Sequence, residues 1–154
     1  MLLPFNLLMQ NEIQPMQRVI ACVIREGPTI LLGRRPLHKR HGGLWEFPGG
    51  KCEAGESDAD TVRRELGEEL GIHDIARVGS PLFEHRDPGS CFLIAFVPVA
   101  IFGVPQAMEH SEVRWVSIDD IPSLELAPSD AAFVRFMRQS RWQLEPPRTS
   151  PPLT

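Results

Sequence analysis

The order of apolar segments predicts a single mixed α/β (α+β) domain, because strand-like and helix-like stretches are interspersed without strict βαβ alternation. Three observations carry the prediction. Residues 18–25 are nearly all apolar and β-branched (Val19, Ile20, Val23, Ile24), which fits a strand buried on both faces. Residues 57–70 place Ala59, Val62, Leu66 and Leu70 along one helical stripe. The length of 154 residues, 42% of them hydrophobic and 23% charged, suits one sizeable core; it is short for two ordinary domains and too apolar for general disorder.

Residues 1–16 read as a poorly tied N-terminal arm and 17–144 as the domain. After the first strand, Glu26-Gly27-Pro28 forms a turn. Residues 29–33 read as a second strand, 34–43 as a loop, and 45–47 as a short strand ending at the Pro48-Gly49-Gly50 break. Residues 49–56 read as a glycine-containing loop. Ser57 caps the helix that follows, with Asp60 three residues on, and Gly71 stops it. Residues 75–86 and 91–99 read as two hairpin strands joined around Asp87-Pro88-Gly89. Residues 113–117 read as one more short strand. The final helix runs from Ser129 to about Gln139, capped by Ser129 or Asp130, with Phe133, Val134, Phe136 and Met137 inward. Residues 145–154 hold four of the fifteen prolines and read as a disordered tail.

Composition removes several classes. Cys22, Cys52 and Cys91 are odd in number and widely spaced, which fits buried free thiols in a reducing compartment rather than a disulfide framework or a structural zinc site. The apolar start, Met1 to Met9, lacks a basic region and is broken by Pro4 and Asn6, so it does not read as a secretory signal. No apolar run is long enough to span a membrane, and the cytoplasm is the expected compartment.

Charge is unevenly placed. Residues 46–74 hold nine acids against three bases and carry −6 of a net charge of −4. Just before them stand Arg34, Arg35, His38, Lys39, Arg40 and His41. A basic loop beside an acidic helix suits a polyanionic ligand bridged to the acids by divalent cations. Within the helix, Glu65, Glu68 and Glu69 stand at i, i+3 and i+4 and share one face. Like charges at that spacing repel, so the face makes physical sense as a holder of hard cations, for which carboxylate oxygens are the preferred ligands. Arg64 is placed to orient one of these carboxylates, and Glu56 approaches the helix N-terminus. The bland reading of the same residues is a pair of solvated, oppositely charged faces.

The run from Gly50 through Glu56 to Arg64-Glu65-Leu66-Gly67-Glu68-Glu69-Leu70-Gly71-Ile72 resembles the Nudix box, GX5EX7REUXEEXGU with U bulky and aliphatic, at every fixed position. The resemblance extends from about Arg18 to about Met137. It implies the Nudix fold, a mixed sheet sandwiched between helices with the box as a loop-helix-loop. It also implies divalent-metal-dependent hydrolysis of a nucleoside diphosphate linked to another group, with Mg²⁺ as the expected cofactor and Mn²⁺ as the alternative. On this resemblance Glu65, Glu68 and Glu69 match the metal-binding acids, Glu65 doubling as a candidate general base. Arg64 matches the orienting arginine, and Glu56 and the Gly50 carbonyl are secondary contributors. A further acid is expected from a loop before a late strand: Glu109 is the first candidate and Glu112 the second.

The segment Gly43-Leu44-Trp45-Glu46-Phe47-Pro48-Gly49-Gly50-Lys51 and the upstream pair Arg34-Arg35 look like the MutT-type branch, which removes oxidised or modified (d)NTPs from nucleotide pools. That likeness implies Arg35 and Lys51 as phosphate contacts and Asp130 as the residue that reads the base. An ionised Asp130 would accept only, and so select bases presenting N–H donors, guanine or cytosine, over thymine and uracil. Trp45, Phe47, Trp115 and Trp142 are the aromatic candidates for the base pocket, with core packing the expected role of Phe47 and Trp115. Other branches fit less well. The ADP-ribose type favours a proline where this chain has Asp87, with Pro88 one place late, and dinucleoside polyphosphate hydrolases commonly use a tyrosine, which this chain lacks. The competing reading is a nucleotide-binding regulatory module without turnover, which usually loses a box acid; all are present here. The expected partner is a small nucleotide, with no nucleic acid or membrane, and the expected state is monomer or homodimer. Nucleic-acid binding by residues 34–41 is weakened by the net negative charge.

Overall fold

The computed structural model describes residues 15–140. Expectations for the N-terminal arm, the proline-rich tail and Trp142 therefore fall mainly or wholly outside the described residues. Among those described, the strands are β1 (Gln17–Glu26), β2 (Thr29–Arg34), β3 (Trp45–Glu46), β4 (Gly49–Lys51), β5 (Ile75–Val78), β6 (Phe83–His85), β7 (Phe92–Ile101) and β8 (Glu112–Ser117). The helices are α1 (Asp58–Leu70) and α2 (Pro128–Gln139), with a short 3-10 turn at Ile121–Ser123.

β1 organises the sheet. Residues 17–24 pair in parallel with β7, while Val19–Ala21 pair antiparallel with β4 on the other edge. Its far end, Arg25–Glu26, turns back onto β2, which carries β3 and β8. The strand alternation sorts the core into two layers. Ile20, Cys22 and Ile24 face α1 with Leu31, Val62, Leu66, Leu70, Ala95 and Val97. Ala21 and Val23 face α2 with Ile30, Leu32, Phe96 and Phe133. The mixed sheet is thus sandwiched between two helices, as expected from the sequence.

α1 is set by the features read from its sequence. Ser57 Oγ accepts from Asp60 N–H, the Asp60 carboxylate accepts from Ser57 N–H, and Gly71 closes the helix at φ 66°. Val62, Leu66 and Leu70 are fully buried, whereas Ala59 is only partly so.

Four expectations are corrected. Residues 75–86 are not one strand: Gly79-Ser80-Pro81 breaks them into β5 and β6, both antiparallel to β7. Gly79 N–H still bonds Pro98 O, but Pro81 has no N–H for a ladder. Residues 49–51 are a strand, not a loop. Gly49, at φ 148°, lies against the Ile20 carbonyl, where a Cβ would collide with backbone, so the glycines mark close strand approach. α2 begins at Pro128 with Ala127 as its uncapped N-cap residue, so neither Ser129 nor Asp130 caps it. Finally, only Cys22 of the three free thiols is buried; Cys52 and Cys91 are intermediate. Among the described residues no helix is long and apolar enough to cross a membrane.

Candidate active site

A cleft of about 690 Å³ opens beside β1, β4 and the start of α2. Arg35, Glu46, Lys51, Glu69, Glu109 and Asp130 are among its lining residues. That volume is ordinary for a small-molecule site.

The acidic end is organised by Arg64. Its Nε and Nη2 donate to the two Glu56 carboxylate oxygens at 2.9 Å each, and its Nη1 donates to Glu65 Oε1 at 2.8 Å. Nη2 also reaches the Lys51 carbonyl at 2.8 Å, tying helix to β4. Bonding to Arg64 holds the Glu56 carboxyl down at about 2. Glu65 packs over Gly50, where any Cβ would strike its carboxylate. Burial raises the Glu65 pKa against the pull of Arg64, and repulsion from Glu68 and Glu109 adds to the rise. Glu69 is the buried acid of the trio. Burial pushes it up to about 9, although its Oε2 accepts from Gly49 N–H at 3.0 Å; Glu46, Glu65 and Glu109 push the same way. Glu68 is about half exposed and lies 3.7 Å from Arg64.

The three box carboxylates therefore differ in environment, although their spacing made them look equivalent. Glu69 lines the cleft, Glu65 is joined to it through Gly50, and Glu56, Arg64 and Glu68 stand off its wall. Among the described residues no three Asp, Glu, His or Cys side chains are already clustered tightly enough to hold an ion. The donor chemistry nonetheless suits a hard cation. Glu65, Glu69 and Glu109 are all-oxygen donors, Glu109 repels the carboxylates of both Glu65 and Glu69, and a divalent charge beside them would reverse that repulsion. The second candidate for the extra acid does not join them: Glu112 is partly exposed and bonded to Arg114 at 2.6 Å, and it does not line the cleft.

Asp130 lines the same cleft. Its Oδ1 accepts from Phe47 N–H at 2.8 Å, linking α2 to the residue before Pro48. Burial, opposed by that bond and aided by repulsion from Glu46, raises its carboxyl to about 7. Burial thus favours the protonated form of Asp130, whose O–H can donate where the ionised carboxylate expected from sequence could only accept. Ser129, the alternative cap, instead donates from Oγ to Asp87 Oδ2 at 2.8 Å, and His85 Nε2 shares a 2.8 Å bond with Asp87 Oδ1.

Cations line the same cleft. Arg35 donates to Glu46 Oε2 at 2.8 Å and to the Arg40 carbonyl at 2.7 Å. Lys51 also lines the cleft, with its ammonium 5.0 Å from the Phe92 ring centre. Arg34 does not line the cleft; its guanidinium lies over Trp45, with Arg114 also against that indole. This removes Trp45 from the aromatic candidates for the base: it is 6% exposed and does not line the cleft. Phe47 packs edge-on against Phe96 and Phe133, as its core assignment required, and also touches the cleft wall. Trp115 packs in the α1 layer. Glu46, His110, Asp87 and Ser129 were missed from sequence. Only Glu46 had a local signal, an acid inside an otherwise apolar strand.

The NUDIX domain family profile matches residues 15–137. The chain belongs to the Nudix hydrolase family. Within it the chain is MutT-like, as three likenesses show. It is 39% identical over 118 residues to the CTP pyrophosphohydrolase of Escherichia coli (strain K12), covering 75% of this chain and 86% of that protein. It is 30% identical over 102 residues to the oxidized purine nucleoside triphosphate hydrolase of Mus musculus, covering 64% of this chain and 65% of that one. A solved MutT structure, from work on the Aliivibrio salmonicida and Vibrio cholerae proteins, superposes with a TM-score of 0.69 at 30% identity over 80% of this chain and 98% of that chain.

Proposed function

We propose that this Nudix hydrolase converts a (deoxy)nucleoside triphosphate with a modified or oxidised guanine or cytosine base to the monophosphate and pyrophosphate. The observation that carries the reading is one cleft lined by three chemistries together: the Asp130 carboxyl, the Arg35 and Lys51 cations, and the Glu69 and Glu109 carboxylates. The E. coli relative's name points to a cytosine nucleotide and the mouse relative's to an oxidised purine, which supports the guanine or cytosine reading.

In this reading Asp130 hydrogen-bonds the base, and Arg35 and Lys51 neutralise phosphate oxygens. Glu65, Glu68, Glu69 and Glu109, with Glu56 and the Gly50 carbonyl as secondary donors, hold Mg²⁺ or Mn²⁺. The bound cations supply charge neutralisation of the polyphosphate and a more acidic water. A water oxygen forms the new bond to phosphorus as the α–β bridging bond breaks, and its proton passes to a carboxylate, Glu65 being the candidate. Arg64 holds the Glu65 and Glu56 side chains in register for these roles. The protein acts in the cytoplasm as a monomer or homodimer, without nucleic acid.

The test is a hydrolysis panel of 8-oxo-dGTP, 5-methyl-dCTP, CTP, the ordinary dNTPs, ADP-ribose and dinucleoside polyphosphates, with product analysis. Monophosphate plus pyrophosphate from a guanine or cytosine triphosphate is the expected result. Preferred cleavage of ADP-ribose, or binding of every compound without turnover, would overturn it.

A further inference from the structure

His110 is buried, 7% exposed, and its Nδ1 has no hydrogen-bond partner. An unpaired ring nitrogen of this kind is unfavourable, so the imidazole is kept for its other contacts. Those contacts are specific. His110 Nε2 lies 3.0 Å from Glu46 Oε1. Burial would raise the Glu46 carboxyl, but bonds from His110 and Arg35 outweigh it and hold the group below its usual value. An ionised carboxylate only accepts, so Nε2 is the donor. The other Glu46 oxygen accepts from Arg35. The imidazole fits because β2 presents Gly33 beneath it: a Cβ there would fall 2.5 Å from His110 Cδ2. Glycine at this place in a strand is explained by the ring lying on the backbone. His110 follows Glu109 directly, so the same turn places an acid and this imidazole at the cleft.

We propose that His110 and Glu46 are positioning residues that hold the Arg35 guanidinium in place for the substrate's phosphates. The proposal rests on the phosphate role given to Arg35 above. His110 fixes one oxygen of Glu46 from within the fold, and the other oxygen is thereby aimed at Arg35. The Arg40 carbonyl holds Arg35 Nε from the opposite side. A guanidinium fixed at two points loses less freedom when it meets an anion than one free to swing. The His110 ring acts through Glu46 and needs no contact with substrate.

The experiment is a double-mutant cycle on the full chain, with binding of magnesium pyrophosphate titrated calorimetrically. His110→Phe keeps the ring volume and removes the donor. It is expected to weaken pyrophosphate binding roughly fivefold in the native background and by less than about twofold once Arg35→Ala is present, because coupled residues are non-additive. His110→Gln, whose amide donates from nearly the same position, should restore binding to within about twofold. If His110→Phe fails to fold, Glu46→Gln runs the same cycle, since it weakens the hold on Arg35 and keeps the side-chain size. Equal losses in both backgrounds would overturn the relay and leave the phosphate role of Arg35 standing. Unchanged pyrophosphate binding in Arg35→Ala alone would overturn that phosphate role, and the relay with it.

Discussion

Asp130→Asn should make the protein more stable at alkaline pH than at acid pH relative to the native chain. The Asp130 carboxyl titrates at about 7 in the fold, against 3.8 ordinarily. The folded state therefore keeps a proton that the unfolded chain releases. Stability from this group is fully present below pH 3.8, falls as pH rises and is lost above the folded value of about 7. Above pH 7 the buried charge costs the fold about 4 kcal/mol, an upper figure that local water would reduce. Asparagine has nearly the same shape, and its carbonyl can still accept from Phe47 N–H. It carries no charge to bury, so its advantage should grow by about 2 kcal/mol between pH 5.5 and pH 8. Urea unfolding at pH 5.5, 7 and 8 reads this directly. A difference between the two proteins that does not change with pH would refute the burial argument. The same variant tests the site: with its carbonyl on Phe47, the amide turns a donor to the cleft, as the protonated acid does. Base discrimination should then persist above pH 7 in Asp130→Asn and fade in the native chain.

Other perturbations follow from the same geometry. Divalent binding should displace a proton from Glu69, whose carboxyl stands at about 9 without metal, so affinity should rise by up to about tenfold per pH unit between pH 6 and 8. Calorimetry in buffers of different ionisation enthalpy counts that proton, and no proton release would contradict the assignment of Glu69. Glu68→Gln and Glu69→Gln should each lower kcat by roughly a hundredfold or more while leaving the metal-free melting temperature equal or higher, because the first removes a charge beside Glu65 and the second replaces a carboxyl that burial already keeps protonated. Gly50→Ala should lower activity without a general loss of secondary structure, since its Cβ displaces the Glu65 carboxylate; unchanged kinetics would show that the Gly50–Glu65 contact is dispensable. Leu66→Ala, fully buried under the sheet, should cost about 2–5 kcal/mol in urea unfolding and thereby separate core loss from site loss.

Much of this was legible because local chemistry and tertiary position agree. Ser57, Asp60, Gly71 and the Val62–Leu66–Leu70 stripe specify α1 by short-range rules, and the box acids come with it. Glu109 was reachable because it belongs to a family pattern. The rest depended on contacts across the chain. Nothing near Gly49 says that Ile20 will lie against it, so a glycine pair read as a break turned out to be a strand. Asp130 fits a helix cap locally, and its bond to Phe47, 83 positions away, decides otherwise. Burial also separates residues that spacing makes alike: Glu68 is exposed while Glu69, one position on, is 8% exposed.

The placement of buried carboxyls explains why the site does not simply maximise stability. Glu69 and Asp130 are both raised by burial, and both line one cleft with Glu46 and Glu109. Each ionised form would be cheaper to bury as an amide, so the charge of Glu69 becomes useful when a cation arrives, and the carboxyl of Asp130 when a base edge meets its O–H. A cation at Glu69 and a base edge at Asp130 meet those conditions separately. Arg64 is bound within the box acids and Arg35 to Glu46, so each cation is already paired in the free protein. The cost of holding these buried carboxyls in the free protein is thus offset when substrate and metal are bound together. Nucleotide and divalent ion should consequently raise the melting temperature cooperatively, by more than the sum of their separate shifts. Thermal unfolding with each alone and with both, using CTP and Mn²⁺, measures this, and strictly additive shifts would refute the coupling.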